Sequence, residues 1–222
     1  MVSQELSRRL KMSSDKRAEL PLIAILRGVT PQTILDVASV LVTAGFTKIE
    51  VPLNSPNALE SIRLLVKEYG TKNFELGAGT VTRLDLAEQV LETGANLVVT
   101  PNCNVDVIKT AVDAGCVAYP GVVTPTEAFN AVHAGATNLK LFPISMVGVG
   151  GMSAMKSVLP PDIALFPVGG IDATSESMTP YLNKGAKGFG LGSQLYKPSM
   201  SLDEISEKAD AFVKTYKAVI GE

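Results

Sequence analysis

The sequence predicts a single-domain (β/α)8 barrel, or TIM barrel, because two patterns alternate along the 222 residues: glycines that end helices, and short apolar runs. Helical patterns end at glycines that are mostly 20 to 25 residues apart, namely Gly45, Gly70, Gly94, Gly115, Gly135 and Gly185. The interval from Gly135 to Gly185 is twice as long, and LPPD at 159–162 ends a helix near its midpoint. With a final helical pattern at 201–220, eight units result.

An apolar or β-branched run of strand length belongs to each of these units. In order, the runs are PLIAILR (21–27), TKIEVPL (47–53), NFELGAGT (73–80), NLVVT (96–100), CVAYP (116–120), NLKLF (138–142), IALFPVGG (163–170) and KGFGLGS (187–193). Strands that alternate with helices predict a parallel sheet covered by helices. A doubly wound open sheet is the alternative, although it usually has fewer strands. We expect residues 20–222 to form the barrel and residues 1–19 to be a polar N-terminal extension.

Composition argues against several classes of protein. A net charge of −2, with 5% aromatic residues and no Trp, does not fit a nucleic-acid-binding surface. Two cysteines are too few for a disulfide framework and are typical of the reducing cytoplasm. No apolar run reaches membrane-spanning length, and none follows SRRLKM near the N-terminus as an export signal would require. A single histidine, His133, argues against a multi-histidine metal site and a Ser-His-Asp triad.

Polar residues at the carboxyl ends of the predicted strands are candidates for a site, because active sites of such barrels lie at that end. They are Arg27, Glu50, Gly79-Thr80, Thr100-Pro101-Asn102, Lys140, Gly169-Gly170 and Gly192-Ser193. An arginine, a glutamate, a lysine and two glycine turns form a set that suits an anionic carbonyl compound.

Lys140 is the most informative of these residues, because it lies between Leu139 and Leu141 in an apolar run. Burial disfavours the ammonium form, so the pKa of this lysine should fall, and a neutral amine can attack a ketone to form a Schiff base. Glu50 lies in a similar apolar run and can give and take protons near neutral pH. The alternative is a structural lysine that reaches solvent or pairs with Glu50.

Arg27 and the two glycine turns fit the two anionic ends of such a substrate. The planar guanidinium of Arg27 suits a carboxylate or phosphate, although a surface cation is the simpler alternative. VGG (168–170) and LGS (191–193) follow the seventh and eighth strands, where barrels commonly bind phosphate through loop N–H groups.

These motifs together resemble a known family, the class I aldolases of 2-keto-3-deoxy-6-phosphosugar acids. In order along residues 21 to about 218, they are IAILRG, KIEVPLNSP, GAGTV, VTPN, YPG, TEAF, LKLFP, VGG and GLGS. PLNSP at 52–56 resembles the branch that acts on the galactonate epimer, whereas the proline of LFPVGG is more typical of the gluconate branch. Residues 144–153 depart from the family pattern, and residues 1–20 have no counterpart.

The resemblance implies a homotrimer of barrels without a metal or cofactor, acting on a phosphorylated keto-deoxy sugar acid. It makes Lys140 the Schiff-base lysine and Glu50 the general acid/base. Substrate contacts would come from Arg27 to the carboxylate, Thr80, Pro101 and Phe142 around the pyruvate half, and Gly169, Gly170, Gly192 and Ser193 to the phosphate.

The expected reaction is cleavage of 2-dehydro-3-deoxy-6-phosphogalactonate to pyruvate and glyceraldehyde 3-phosphate. One alternative is another pyruvate aldolase, acting on the gluconate epimer or on 4-hydroxy-2-oxoglutarate, or decarboxylating oxaloacetate. A metal-dependent epimerase is disfavoured by the single histidine. A non-catalytic barrel that binds a phosphosugar remains the last alternative.

Overall fold

The computed structural model describes residues 20–222 and confirms the predicted barrel of eight βα units. The strands are β1 (Leu22–Ile25), β2 (Lys48–Pro52), β3 (Glu75–Gly79), β4 (Leu97–Val99), β5 (Val117–Tyr119), β6 (Gly121–Val122), β7 (Asn138–Leu141), β8 (Ala164–Pro167) and β9 (Phe189–Leu191). The helices are α1 (Ile34–Ala44), α2 (Ala58–Tyr69), α3 (Leu84–Leu91), α4 (Val105–Asp113), α5 (Pro125–His133), α6 (Ile144–Val158), α7 (Ser175–Leu182) and α8 (Leu202–Ile220). The predicted polar extension at residues 1–19 lies outside the described residues.

All strand pairs are parallel, and they close the sheet on itself. One sheet has the order β5-β4-β3-β2-β1-β9 and the other has the order β6-β7-β8. Pro120, which has no N–H, separates β5 from β6, so the predicted fifth strand appears as two short segments. Bridges from Leu165 to Ala186 and from Val168 to Gly190 join β8 to the β9 side. The open-sheet alternative is therefore wrong.

Helices end where the sequence predicts. All six glycine stops have φ between 66° and 111°, the left-handed region that glycine enters without steric cost. Helix α6 ends at Val158, before the proline pair, and starts directly after β7. Gly148 has φ 63° and ψ 177° and breaks α6 after its first turn, so the divergent segment 144–153 consists of two helical pieces. None of the helices described over residues 20–222 is long and apolar enough to cross a membrane.

Alternation along the strands divides apolar side chains between two clusters. A small cluster fills the inside of the barrel and consists of Ile23, Leu97, Val99, Tyr119 and Phe166. The larger cluster lies between the strands and the surrounding helices and includes Ile49, Val51, Leu139 and Leu141. Glu50 lies between Ile49 and Val51, and Lys140 lies between Leu139 and Leu141. Both therefore face the interior of the barrel.

A polar group occupies the amino-terminal end of the interior. Lys48 and Glu75 open their strands, pair in register and form an ion pair. The Tyr119 hydroxyl donates a hydrogen bond to the second Glu75 oxygen at 3.0 Å. Because these buried groups satisfy one another, the charge of Lys48 is compensated within the barrel.

Candidate active site

A cavity of about 470 Å³ opens at the carboxyl ends of β1, β7, β8 and β9. Seven of the ten residues proposed from the sequence line it: Arg27, Lys140, Phe142, Gly169, Gly170, Gly192 and Ser193. Gln194, Tyr196, Lys197 and Pro198 add a further wall from the loop after β9. In this part of the barrel, polar groups from four strands therefore meet at one end, as the sequence predicted.

Lys140 faces the barrel interior because Leu139 and Leu141 point to the helices. Its Nζ lies 4.7 Å from the centroid of the Phe142 ring, and the side chain is largely buried. Burial lowers the pKa of Lys140, and the positive charge of Arg27 lowers it further, whereas Glu50 acts in the opposite direction. The neutral amine, which is the nucleophilic form, is thus favoured more than in an exposed lysine.

Glu50 is 1% exposed, and its Oε2 atom has no hydrogen-bond partner within residues 20–222. Burial raises the pKa of this carboxyl from 4.5 to about 7, although the charges of Lys140 and Arg27 oppose the rise. Lys140 and Glu50 form no ion pair within 4.0 Å in the described chain, so the alternative of a paired structural lysine is not supported. Two groups with oppositely shifted pKa values are typical of acid–base chemistry.

Gly79, at the end of β3, makes room for the Glu50 carboxyl group. A Cβ atom on residue 79 would lie 1.8 Å from Glu50 Oε2 and 2.3 Å from the carboxyl carbon. Any side chain at this position would therefore displace the carboxylate. The sequence marked Gly79 only as the end of a strand, because its neighbour lies 29 positions away on β2.

Arg27 is exposed at the mouth of the cavity and is held from the loop after β2. Its Nη1 donates a hydrogen bond to Asn54 Oδ1 at 2.9 Å, and the next backbone N–H, that of Gly28, donates to Ser55 Oγ at 2.8 Å. Gly28 has φ 87°, and a Cβ there would lie 2.8 Å from Pro198 Cγ. The loops after β1, β2 and β9 are thus in mutual contact.

The part of the cavity wall formed after β8 and β9 has the character of an anion site. Gly169 and Gly170 have φ of 103° and 75°, so the backbone turns sharply after β8. Ser193 Oγ lies 2.9 Å from Gln194 Oε1, and Lys197 is exposed and lines the same wall. Lys197 did not stand out in the sequence, where it follows Leu195 and Tyr196 as an ordinary surface lysine.

Thr80 and Pro101 follow β3 and β4 but do not line the cavity in the described structure. Thr80 has φ 59°, which is unfavourable for a β-branched residue and is the kind of backbone strain found near functional sites. The Pro101 carbonyl carbon lies 2.4 Å from the position that a Gly121 Cβ would take. The backbone of Pro101 is therefore closely packed against β6.

Neither cysteine has the surroundings of a reactive thiol. Cys103 donates a hydrogen bond from Sγ to the Glu127 carbonyl at 3.3 Å, and Cys116 donates to the Ala95 carbonyl at 3.4 Å. Burial raises the pKa of both thiols, and the charge of Glu127 adds to the effect at Cys103. Both cysteines are therefore packing residues.

The raised pKa of Glu50 predicts a pH-dependent stability effect of Glu50→Gln. The folded protein keeps a proton on Glu50 that the unfolded chain releases above about pH 4.5, so the stability from this group is lost as pH rises to about 7. Glutamine does not ionise. We expect urea unfolding to show that the variant gains on the order of 3 kcal/mol relative to wild type between pH 5 and pH 8. A stability difference that is the same at both pH values would contradict the shift.

Comparison with known proteins identifies the family. The model for KDPG and KHG aldolases matches residues 14–209. The 2-dehydro-3-deoxy-6-phosphogalactonate aldolase of Escherichia coli K12 is 44% identical over 92% of this chain and 98% of its own length. A solved structure described as native KDPGal aligns with a TM-score of 0.88, at 42% identity over 93% of this chain and 99% of that one.

A second close structural match lies in a designed, cube-shaped protein cage. The cage was made by fusing symmetric oligomeric domains. Its TM-score is 0.88, at 43% identity over 92% of this chain and 74% of the cage chain. The same barrel thus recurs in proteins that align with more than nine-tenths of this chain. The chain belongs to the KDPG and KHG aldolase family.

Proposed function

We propose that this protein is a class I aldolase that cleaves 2-dehydro-3-deoxy-6-phosphogalactonate into pyruvate and D-glyceraldehyde 3-phosphate. The observation that carries the proposal is a pair of buried groups in the barrel interior whose pKa values shift in opposite directions. Lys140 lines the cavity beside the candidate anion-binding groups, whereas Glu50 does not line it but acts on Lys140 through its charge. The name of the E. coli relative supports the substrate.

The reaction begins when the neutral Lys140 amine attacks the C2 ketone. Glu50 in its acid form protonates the carbinolamine hydroxyl, which leaves as water and gives the iminium ion. Glu50, now a carboxylate, removes the proton of the C4 hydroxyl, and the C3–C4 bond breaks. Its electron pair moves to the iminium nitrogen, so the aldehyde leaves and an enamine remains. Protonation of the enamine at C3 and hydrolysis of the imine release pyruvate and restore the Lys140 amine.

The remaining pyruvate-side residues bind rather than react. Arg27 lies at the mouth of the cavity with a guanidinium edge that suits the C1 carboxylate. Phe142 packs beside the amine, and Thr80 and Pro101 would complete the surroundings of the pyruvate half from the neighbouring strand ends. By excluding water, the apolar surfaces of Phe142 and Pro101 would favour the neutral form of the amine.

The phosphate binds at the opposite end of the cavity. Backbone N–H groups of Gly169, Gly170 and Gly192 and the hydroxyl of Ser193 are the proposed donors, and Lys197 adds positive charge nearby. The glycines at 169 and 170 allow the backbone to approach the phosphate oxygens closely.

The experiment that tests this function has two stages. Protein mixed with pyruvate is reduced with borohydride and digested, and the modified peptide is located by mass spectrometry. We expect the adduct on Lys140, and we expect kcat/KM to be higher for the galactonate acid than for its C4 epimer, the gluconate acid. An unmodified folded protein would favour the non-catalytic barrel, and the reverse preference would assign the gluconate substrate.

Four further properties belong to the proposal. Resemblance to the family supports a homotrimer, and the likeness to an oligomeric domain of the designed cage is consistent with it. Two free thiols are consistent with the cytoplasm. The chemistry above uses protein groups alone and therefore requires no cofactor. Residues 1–19 are proposed to be an extension outside the barrel, and removing them should leave turnover intact.

A further inference from the structure

The PLNSP segment has a role that the proposed chemistry does not yet use. It lies in the loop after β2, and two of its consecutive residues hold two consecutive residues of the loop after β1. Asn54 accepts from the Arg27 guanidinium at 2.9 Å, and Ser55 accepts from the Gly28 backbone N–H at 2.8 Å. These contacts join positions 27 apart in sequence at the mouth of the cavity.

The two contacts differ in kind. Ser55 is buried and holds the backbone of the loop, which is a structural task. Asn54 and Arg27 are both exposed, and a single hydrogen bond between exposed side chains adds little to the stability of the fold. The hydrogen bond to Asn54 instead restricts the side chain of Arg27, which would otherwise sample many rotamers.

The neutral amide of Asn54 also preserves the charge of Arg27. An amide oxygen occupies one N–H and leaves the other guanidinium donors, with the full positive charge, for an anion. A carboxylate in its place would hold the arginine equally well but would compensate its charge and compete with the ligand. Asparagine at position 54 therefore leaves the positive charge of Arg27 available to bind an anionic ligand.

We propose that Asn54 is a positioning residue that presets Arg27 for the carboxylate of the keto acid. The assignment rests on the proposed function, in which Arg27 binds that carboxylate. It makes PLNSP the outer half of the carboxylate site, with Ser55 fixing the loop and Asn54 fixing the guanidinium.

The test measures how the yield of borohydride-trapped adduct on Lys140 depends on pyruvate concentration. We expect Asn54→Ala to raise the half-saturating pyruvate concentration about tenfold, because a hydrogen bond to a charged group is lost. Asn54→Asp, which has the same shape, should raise it at least as much through its charge. Asn130→Ala, an exposed asparagine on α5, is the matched control and should behave as wild type.

A double-mutant cycle and a second ligand separate this role from a general loop effect. In an Arg27→Ala background, Asn54→Ala should have no further effect, since the residue acts through Arg27. Inorganic phosphate, whose proposed site is formed by the loops after β8 and β9, should inhibit cleavage of the sugar acid equally in the wild type and in the Asn54 variants. Additive effects of the two substitutions, or weaker phosphate inhibition, would overturn the assignment.

The outcomes also separate this assignment from the proposed function. If the wild type forms no adduct on Lys140, the proposed function and the assignment both fail. If the wild type forms the adduct and both Asn54 variants match its pyruvate dependence, the assignment alone fails. Because Asn54→Asp is isosteric, it supplies a folded variant even if Asn54→Ala disturbs the loop.

Discussion

Lys140→Met is expected to remove turnover, by about 10⁴-fold or more, and to abolish the pyruvate adduct while the barrel stays folded. Methionine fills a volume similar to that of lysine and carries no charge. The substitution therefore leaves neither a cavity nor an uncompensated charge at this largely buried position. The loss has a chemical cause, because methionine has no amine with which to form the imine, and the second lysine of the cavity wall, Lys197, is exposed in the loop after β9. Initial rates and borohydride trapping measure it directly.

Lys48 provides the internal control for this experiment. It is also buried in a strand, but it forms an ion pair with Glu75 and does not line the cavity in which the keto acid is proposed to bind. Peptide mapping of the wild type should find Lys48 unmodified. Residual turnover of Lys140→Met near the wild-type rate, in a protein with an unchanged circular dichroism spectrum, would eliminate the proposed mechanism.

Gly79→Ala should lower kcat about 100-fold, although residue 79 does not take part in the chemistry. The new methyl group would lie 1.8 Å from Glu50 Oε2, well inside van der Waals contact, so the carboxyl group must move. A displaced acid/base cannot protonate the carbinolamine or reach the C4 hydroxyl. Steady-state kinetics on the sugar acid measures the loss.

Two companion variants assign the Gly79 effect to this collision. Glu50→Asp shortens the side chain by one methylene, so the Gly79→Ala/Glu50→Asp double variant should lose less activity than the product of the single losses. Gly150→Ala, where a Cβ meets nothing within 4 Å, should keep full activity and gain about 0.5 to 1 kcal/mol of helix stability. Multiplicative losses in the double variant would show that the two positions act independently.

The barrel could be predicted from the sequence because its signals are local. A glycine such as Gly45 ends a helix through its own φ angle, and a run such as NLVVT forms a strand through its own side chains. Lys140 and Glu50 could be proposed from the apolar runs that surround them, and in the structure their apolar neighbours pack toward the helices. The division of the fifth strand at Pro120 was missed, although the proline itself was the signal.

What the sequence did not reveal depends on contacts across the barrel. Gly79 is needed only because of Glu50 on another strand, and Asn54 matters only because Arg27 lies beside it. Lys197 joins the site through the path of the loop after β9. Such relations depend on register and loop geometry, which single-residue preferences do not contain.

The close approach of Gly28 and Pro198 gives the cavity a fixed length. These residues belong to the loop that carries Arg27 and the loop that carries Ser193, and there is no space for a side chain between them. Packing of the Gly28 backbone against the rigid Pro198 ring therefore fixes how the two loops that carry the proposed anion sites lie against each other. The cavity is therefore expected to select substrates by their length. A sugar acid that is one carbon too short or too long would bind through its carboxylate or its phosphate, but not through both.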